Sequence, residues 1–354
     1  MPQKKLLNFL KACKHKLVLM EVCGTHTVSI SKNGIRGVLS KNIRLISGPG
    51  CPVCVTPQGE IDAAIELSKK PGVVITTFGD MIRVPGTTSS LEKEKAGGAD
   101  VRIVYSPLDC LDMAKNEPEK EIVFIGVGFE TTSPTIAGTV LKAKEQKINN
   151  FSVLSAFKLI PPALEAISNA KDIKVDGFIL PGHVSTIIGA KAYSFLKIPG
   201  VIAGFEAWDI LRAIGMIVEM MKGLENSGGA IHELPVQIQY KSVVRDDGNP
   251  AALKVLYEVF EAADSNWRGI GIIPGSGLVF RNRYKSFDAL RRFKVKVKNA
   301  KEPRGCACGK ILKGALTPFE CPLFGKKCTP DNPVGPCMVS SEGACSAYYR
   351  YGKN

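Results

Sequence analysis

At 354 residues with 45% hydrophobic and 23% charged side chains, the chain can bury large cores without covalent staples, so its eleven cysteines are not explained by stability alone. No run approaches the length of a membrane-spanning helix, and the basic start (Lys4, Lys5, Lys11) carries an apolar stretch, Leu6–Leu10, too short and too interrupted by Asn8 for an export signal. A secreted disulfide scaffold is therefore excluded, and a reducing, cytoplasmic setting is expected, where clustered cysteines do metal or redox work.

Short runs rich in Val and Ile predict strands at Leu17–Met20, Ile43–Ile46, Val73–Ile75, Ile122–Ile125, Val153–Leu154 and Gly177–Leu180. Helical stretches such as Gln58–Lys69 and Pro162–Asn169 lie between them, and the alternation predicts an α/β fold with mainly parallel sheets. The halves also resemble each other. VLMEVCGTHTVSI (Val18–Ile30) parallels VFIGVGFETTSPTI (Val123–Ile136), LIS at 45–47 parallels VLS at 153–155, PQGEIDAAIEL parallels PPALEAIS, and VVITTFGDMIRVPG parallels GFILPGHVSTIIG. An internal duplication offset by about 105 residues predicts two similar lobes, 1–119 and 120–225, facing a cleft. Functional loops in such sheets follow the carboxyl ends of strands, which puts Cys23, Cys51, Phe78–Asp80, Glu130 and His183 on one rim.

A third region, 226–354, opens on the Gly-rich break Asn226–Gly229. It holds an expected helix at Ala251–Ala263 and an expected strand at Gly269–Leu278. From Arg281 to Lys313 twelve Lys or Arg stand against only Asp288 and Glu302. No nucleic-acid-binding signature accompanies this stretch, so it predicts a solvated basic face or a protein-docking surface, not a nucleic-acid site. The tail at 305–345 is dense in Pro, Gly and Cys and has little core of its own, so metal ligation is expected to organise it.

Three cysteine constellations carry the chemistry. The tail holds Cys306, Cys308, Cys321, Cys328, Cys337 and Cys345, with intervening gaps of one, twelve, six, eight and seven residues. Structural zinc sites use paired C-x2–4-C knuckles, which the tail lacks, so an iron–sulfur cluster is expected over zinc. Cys306, Cys321, Cys328 and Cys345 make the preferred set of four for a [4Fe–4S] cage, leaving Cys308 and Cys337 as a redox relay, although spacing alone does not choose this set over its rivals. The second constellation is Gly48-Pro49-Gly50-Cys51-Pro52-Val53-Cys54, a Cys-x-x-Cys before a helix, which favours thiolate character and a redox dithiol. The third is Glu21-Val22-Cys23-Gly24-Thr25-His26-Thr27, where Cys23 is a nucleophile with His26 as its base, or a soft metal ligand. His183 sits on the matching loop of the second lobe, and Asp80, Arg83 and Glu130 are cleft candidates, each as readily explained as a cap or turn residue. Cys13, Cys110, His15 and His232 lack such context and are expected to be structural or on the surface. No Gly-x-x-x-x-Gly-Lys-Ser/Thr loop argues for a nucleotide.

Taken together, CGTHT at 23–27, GPGCPVC at 48–54, FGDMIRVPG at 78–86, GFETT at 128–132, PGHVS at 181–185 and the tail CxCG…CPLFGKKCTP…GPCMVSSEGAC…AYY resemble the hydrogenase maturation family HypD, from about Val18 to Tyr351. Ala207-Trp208 departs from the proline-containing pair expected there, which touches only local loop shape. The resemblance implies assembly of the Fe(CN)2CO unit of [NiFe] hydrogenases. It implies a heterodimer with a HypC-type chaperone, which shares the iron with Cys23 and leads to the hydrogenase large subunit. Cyanide would arrive from carbamoyl phosphate through HypF and a HypE-type donor carrying a thiocyanate. Cys51 and Cys54 would be the adjacent dithiol, and the tail would hold a [4Fe–4S] cluster. His26 and His183 would serve the cyanide nitrogen. Two rivals remain at this level: a free-standing iron–sulfur thiol–disulfide reductase, and a zinc-stabilised adaptor.

Overall fold

The computed structural model describes residues 1–170, 173–226 and 235–352; His232 and the glycines of the 226–229 break lie outside them. Among the described residues the strands are β1 (Leu17–Glu21), β2 (Ile43–Ser47), β3 (Val73–Thr77), β4 (Asp100–Ile103), β5 (Glu121–Gly126), β6 (Phe151–Ser155), β7 (Gly177–Pro181), β8 (Gly200–Ala203), β9 (Val236–Ile238), β10 (Phe260–Trp267) and β11 (Gly271–Phe280). Each of the six expected Val/Ile runs is a strand. β4, β8, β9 and β10 were not expected: in the first three, three or four residues such as DVRI or VQI are too short to show a pattern against their surroundings, and the start of β10 falls in the stretch read as helix.

Two parallel sheets result, ordered β2-β1-β7-β8-β9 and β4-β3-β5-β6. β3 and β7 are buried along their whole length, as expected of parallel strands covered by helices on both faces. The fold class is the α/β architecture with two parallel lobes and a cysteine-rich C-terminal region.

The lobes are not consecutive in sequence. One sheet takes β1, β2 and β7–β9, and the other takes everything from β3 to β6. A boundary at 119/120 would cut the second sheet, where β3 pairs with both β4 and β5. The repeat explains this. With β1–β4 matched to β5–β8, the order β2-β1-β7-β8 in one sheet becomes β6-β5-β3-β4 in the other. Apart from β9, which has no counterpart, the two sheets are thus equivalent strand for strand, but each is built half from one repeat and half from the other. Sequence similarity detects the repeated units and is blind to which of them pair.

The third region is a β10–β11 hairpin, irregular between Ala263 and Ser265, that leans on the β3–β6 lobe. Ser155 Oγ donates to the Leu278 carbonyl (2.6 Å) and Leu159 N–H to the Ser276 carbonyl (2.8 Å). The helix expected at Ala251–Ala263 runs Pro250–Val259, started by Pro250 and by the Asn249 side chain, which accepts the Ala252 N–H at 3.1 Å. It stops early because Phe260, fully buried, pairs across the hairpin with Phe280, their rings 4.6 Å apart.

Candidate metal and thiol centre

β1 runs out at Glu21, and Cys23, in extended conformation, caps the helix Gly24–Lys32. The loop after β2 is laid directly on it. Gly24 N–H donates to the Gly50 carbonyl at 3.0 Å, and a Cβ added at Gly50 would lie 2.1 Å from the Cys23 backbone nitrogen. Two loops from adjacent parallel strands thereby bring Cys23 and Cys51 into one corner. Burial pushes the Cys23 thiol up to about 12, against the pull of the His26 and Thr25 backbone amides; the carboxylates of Glu342 and Glu21 act in the same direction as burial. Glu21 is itself fully buried. It accepts hydrogen bonds from Thr27 Oγ1 (2.5 Å) and from Cys23 N–H (3.2 Å), and burial raises it to about 7.

Cys51 caps the short helix Pro52–Val55, its sulfur accepting the Cys54 N–H at 3.2 Å. Pro52 fits the first helical turn, where no N–H is needed. Cys54 is completely buried, which pushes its thiol up, and it reaches Cys337 of the tail. Cys337 lies 2.6 Å, sulfur to sulfur, from Cys308, and Cys306 is the next thiol beside Cys308. A continuous file of thiols therefore runs Cys51–Cys54–Cys337–Cys308–Cys306.

All six tail cysteines line one small cavity, with Leu323, Phe324, Gly335 and Met338 completing the wall. Among the described residues no carboxylate or imidazole lines it. Cys345 is raised first by burial and then by its thiol neighbours Cys328, Cys306 and Cys321. Among the described residues no three His, Cys, Asp or Glu side chains converge on a single-ion site; the thiols surround a volume instead.

Ser340–Glu342 of the tail spans the two lobes. Asp80, after β3, accepts Ser340 Oγ (3.0 Å) and Ser341 N–H (3.1 Å), while Thr25, after β1, donates to Glu342 Oε1 (2.6 Å). Arg83 donates to the Pro330 carbonyl at 2.5 Å. The cleft candidates Asp80 and Arg83 are thus engaged in fastening the tail. Asp80→Ala is expected to cost about 1.5–3 kcal/mol of stability in urea unfolding, the range for hydrogen bonds to a charged group, and to speed proteolysis of the tail. An unchanged digestion rate would contradict that fastening role.

Glu130, the third cleft candidate, caps a helix. Its Oε1 accepts the Ile160 N–H (3.0 Å) at the start of Ile160–Ser168, and its Oε2 is buried without a partner among the described residues. Burial lifts Glu130 from 4.5 to about 8. The folded protein holds this proton while the unfolded chain releases it above pH ~4.5, so the stability it confers is whole at acid pH and drains away as pH rises toward about 8. Glu130→Gln keeps the acceptor and deletes the ionisation. It is expected to flatten the fall in urea stability between about pH 5 and pH 8; an undiminished slope would refute this assignment.

The two histidines share one aromatic side chain. Phe205 lies 5.1 Å from the His26 ring and 4.0 Å from that of His183, which is exposed. His26 is fully buried, lowered to about 4 by desolvation, and directs Nε2 at the Gly204 carbonyl (2.9 Å). A carbonyl only accepts, so the neutral ring carries its proton on Nε2, and Nδ1 presents a lone pair. Cys110 is buried and donates to Thr76 Oγ1 (3.2 Å), and Cys13 is buried in the other lobe; both are structural thiols.

Sequence reasoning missed Arg268 and Glu342. Arg268 is fully buried; its Nε donates to the Thr56 carbonyl (2.9 Å), its guanidinium to Gln58 Oε1 (3.2 Å), and it pairs with Glu302. It pins the segment that follows Cys54 to the hairpin. A lone arginine between a strand and a turn gives no periodic signal. Glu342 carried one, since it stands three residues before Cys345 in the motif-dense tail.

Fold and site together define a two-lobed α/β protein organised around cysteine sulfur, with a C-terminal tail that seals thiols beneath it. Residues 3–352 match the family model HypD, described as the hydrogenase formation hypA family. A Methanocaldococcus jannaschii protein named for hydrogenase expression/formation is 47% identical over 340 residues, covering 95% of this chain and 92% of that one. The hydrogenase maturation factors HypD of Azotobacter vinelandii and Escherichia coli are 45% and 43% identical, over 96% and 95% of this chain and 90% and 89% of theirs. The chain belongs to the HypD family.

Proposed function

We propose that this chain acts in hydrogenase maturation as the scaffold on which an iron centre receives its cyanide ligands, with Cys23 as an iron ligand and Cys51/Cys54 as the local reductant. The observation that carries the reading is the unbroken file of thiols from the corner beside Cys23 to the tail cavity. The iron is cargo, held jointly by Cys23 and a HypC-type partner, and cyanide is taken from a HypE-type donor.

Release of cyanide from a protein thiocyanate needs two electrons. Two thiols supply them: the S–CN bond breaks, Cys51 and Cys54 close a disulfide, and their two protons leave on the donor thiol and the cyanide. Cys54 touches Cys337, so the oxidised pair can be reopened by thiol–disulfide exchange from the Cys308–Cys337 pair. The six-thiol lining, joined by no carboxylate or imidazole among the described residues, fits an iron–sulfur cluster on Cys306, Cys321, Cys328 and Cys345. When bound, such a cluster supplies electrons one at a time. His26 commits its N–H to Gly204, so donation toward a cyanide nitrogen falls to His183. Among the described residues no helix is long and apolar enough to cross a membrane.

The test is anaerobic co-purification with a HypC-type partner, followed by iron counting and infrared spectroscopy. Cyanide and carbonyl stretches on the complex are the expected result. A complex holding a reducible dithiol but neither iron nor these bands would instead favour a thiol–disulfide reductase.

A further inference from the structure

The thiol cavity is closed on its outer side by the loop between Cys321 and Cys328, which contributes Leu323 and Phe324 to the lining. Phe324 is half-buried, and its ring meets two others edge-on: Phe319 at 5.5 Å and Tyr349 at 6.1 Å. Phe319 also contacts Tyr348 at 5.3 Å. Phe319 and Tyr349 are 41% and 45% exposed, and Tyr351, two residues further on, is 39% exposed. One aromatic ring therefore separates the thiols from an exposed aromatic patch. Single exposed apolar residues need no explanation, but linked exposed aromatic rings over a cofactor cavity have the composition of an interface core.

The rim of this patch is basic. Lys326 and Lys327 follow Phe324 in the same loop, and Arg350 lies between Tyr349 and Tyr351; all three are exposed. None of them is in an ion pair among the described residues. Arg36 stacks on Tyr348 at 4.5 Å, and Arg44 acts on the neighbouring Glu320. The acidic groups nearby are Glu320, whose carboxylate is already held by the Thr317 N–H (2.7 Å) and hydroxyl (2.8 Å), and the exposed Asp331.

We infer that this aromatic, basic-rimmed face is the docking site of a small acidic one-electron carrier protein that reduces the cluster of the tail. The inference rests on the iron–sulfur reading given under Proposed function. The step is a single electron passing from the reduced carrier to the cluster; the carrier is oxidised by one electron, the cluster reduced by one, and no bond forms or breaks. Two such deliveries, with two protons from water, return one disulfide of the thiol file to its dithiol. Small apolar contacts ringed by opposite charge suit transient electron-transfer partners, for which long-range attraction raises the encounter rate.

The experiment uses anaerobically prepared full-length protein whose visible spectrum establishes the cluster. Its reduction is followed by stopped flow with two reductants, a reduced plant-type [2Fe–2S] ferredoxin as the acidic probe, and dithionite. With ferredoxin, the double variant Lys326→Glu/Lys327→Glu is expected to slow cluster reduction about tenfold or more at low ionic strength, and salt is expected to slow the unaltered protein toward the same rate. Tyr349→Ala is expected to weaken ferredoxin binding measured by calorimetry. Dithionite, too small to need the face, is expected to reduce all forms at one rate. Equal ferredoxin rates in the charge-reversed and unaltered proteins would overturn the inference, as would equal slowing with dithionite. So would a charge-reversed protein that fails to bind the HypC-type chaperone while still accepting electrons from ferredoxin. Arg350→Glu, outside the cluster loop, gives the same reading if the double variant does not hold its cluster. A wild-type preparation with no cluster absorption would instead sink the scaffold reading itself.

Discussion

Cys23→Ala is expected to leave the protein folded and to strip the purified complex of iron, with loss of the cyanide and carbonyl infrared bands. The fold should survive because the corner is held by backbone contacts that alanine retains: Gly24 N–H to Gly50, and Cys23 N–H to Glu21. The chemistry should not, because alanine removes the soft sulfur assigned to the iron. Removing an outer partner of a metal ligand typically costs ~10–100-fold, so loss of the ligand itself is expected to lower hydrogenase maturation by more than about 100-fold. Burial holds Cys23 as a neutral thiol, so its metal binding should release a proton and strengthen with rising pH. Iron retained at the level of the unaltered complex would remove Cys23 from the ligand set.

Gly50→Ala is expected to be the most damaging single methyl in the chain's functional corner. The new Cβ would fall 2.1 Å from Cys23 N, 2.3 Å from the Val22 carbonyl carbon and 2.5 Å from Cys23 Cα. All three are backbone atoms of a buried strand end, so no side chain can swing aside to make room. Either the loop carrying Cys51 lifts away from Cys23 or β1 shifts, at a cost of about 1–3 kcal/mol or more. Thermal unfolding reports the destabilisation. Thiol titration reports the second consequence, faster modification of Cys51 and Cys54 once the loop has lifted. Gly37→Ala is the matched control, since nothing lies within 4 Å of a Cβ built there. Equal melting temperatures for the two variants would refute the packing argument.

The Val and Ile runs foretold each strand they covered because strands buried on both faces must be continuously apolar. The cysteine motifs were legible for a related reason: soft, reactive side chains concentrated at strand ends have few structural explanations. Other features were hidden because they depend on pairing between distant segments. Nothing in FGDMIRVPG says that Asp80 reaches Ser340 across 260 positions of sequence. Nothing near Arg268 says that it fastens the residues after Cys54. Glu130 looked equally like a catalytic acid and a cap until Ile160 N–H was seen to lie on its carboxyl. Interleaving of the lobes was invisible for the same reason, since a repeat records ancestry of segments and not their partners.

That interleaving also orders the birth of the molecule. On the ribosome, β1 and β2 emerge first and can pair only with each other, and an isolated pair of strands is marginal in water. The lobe of β3–β6 is complete in a contiguous stretch and can close while its elder waits for β7, some 130 residues after β2. During that wait Cys23 and Cys51 stand on an unfinished sheet, open to oxidants and stray metal. The nascent chain thus keeps these two sulfurs exposed while about 130 of its 354 residues are made, and a truncation that ended before β7 would leave them so permanently.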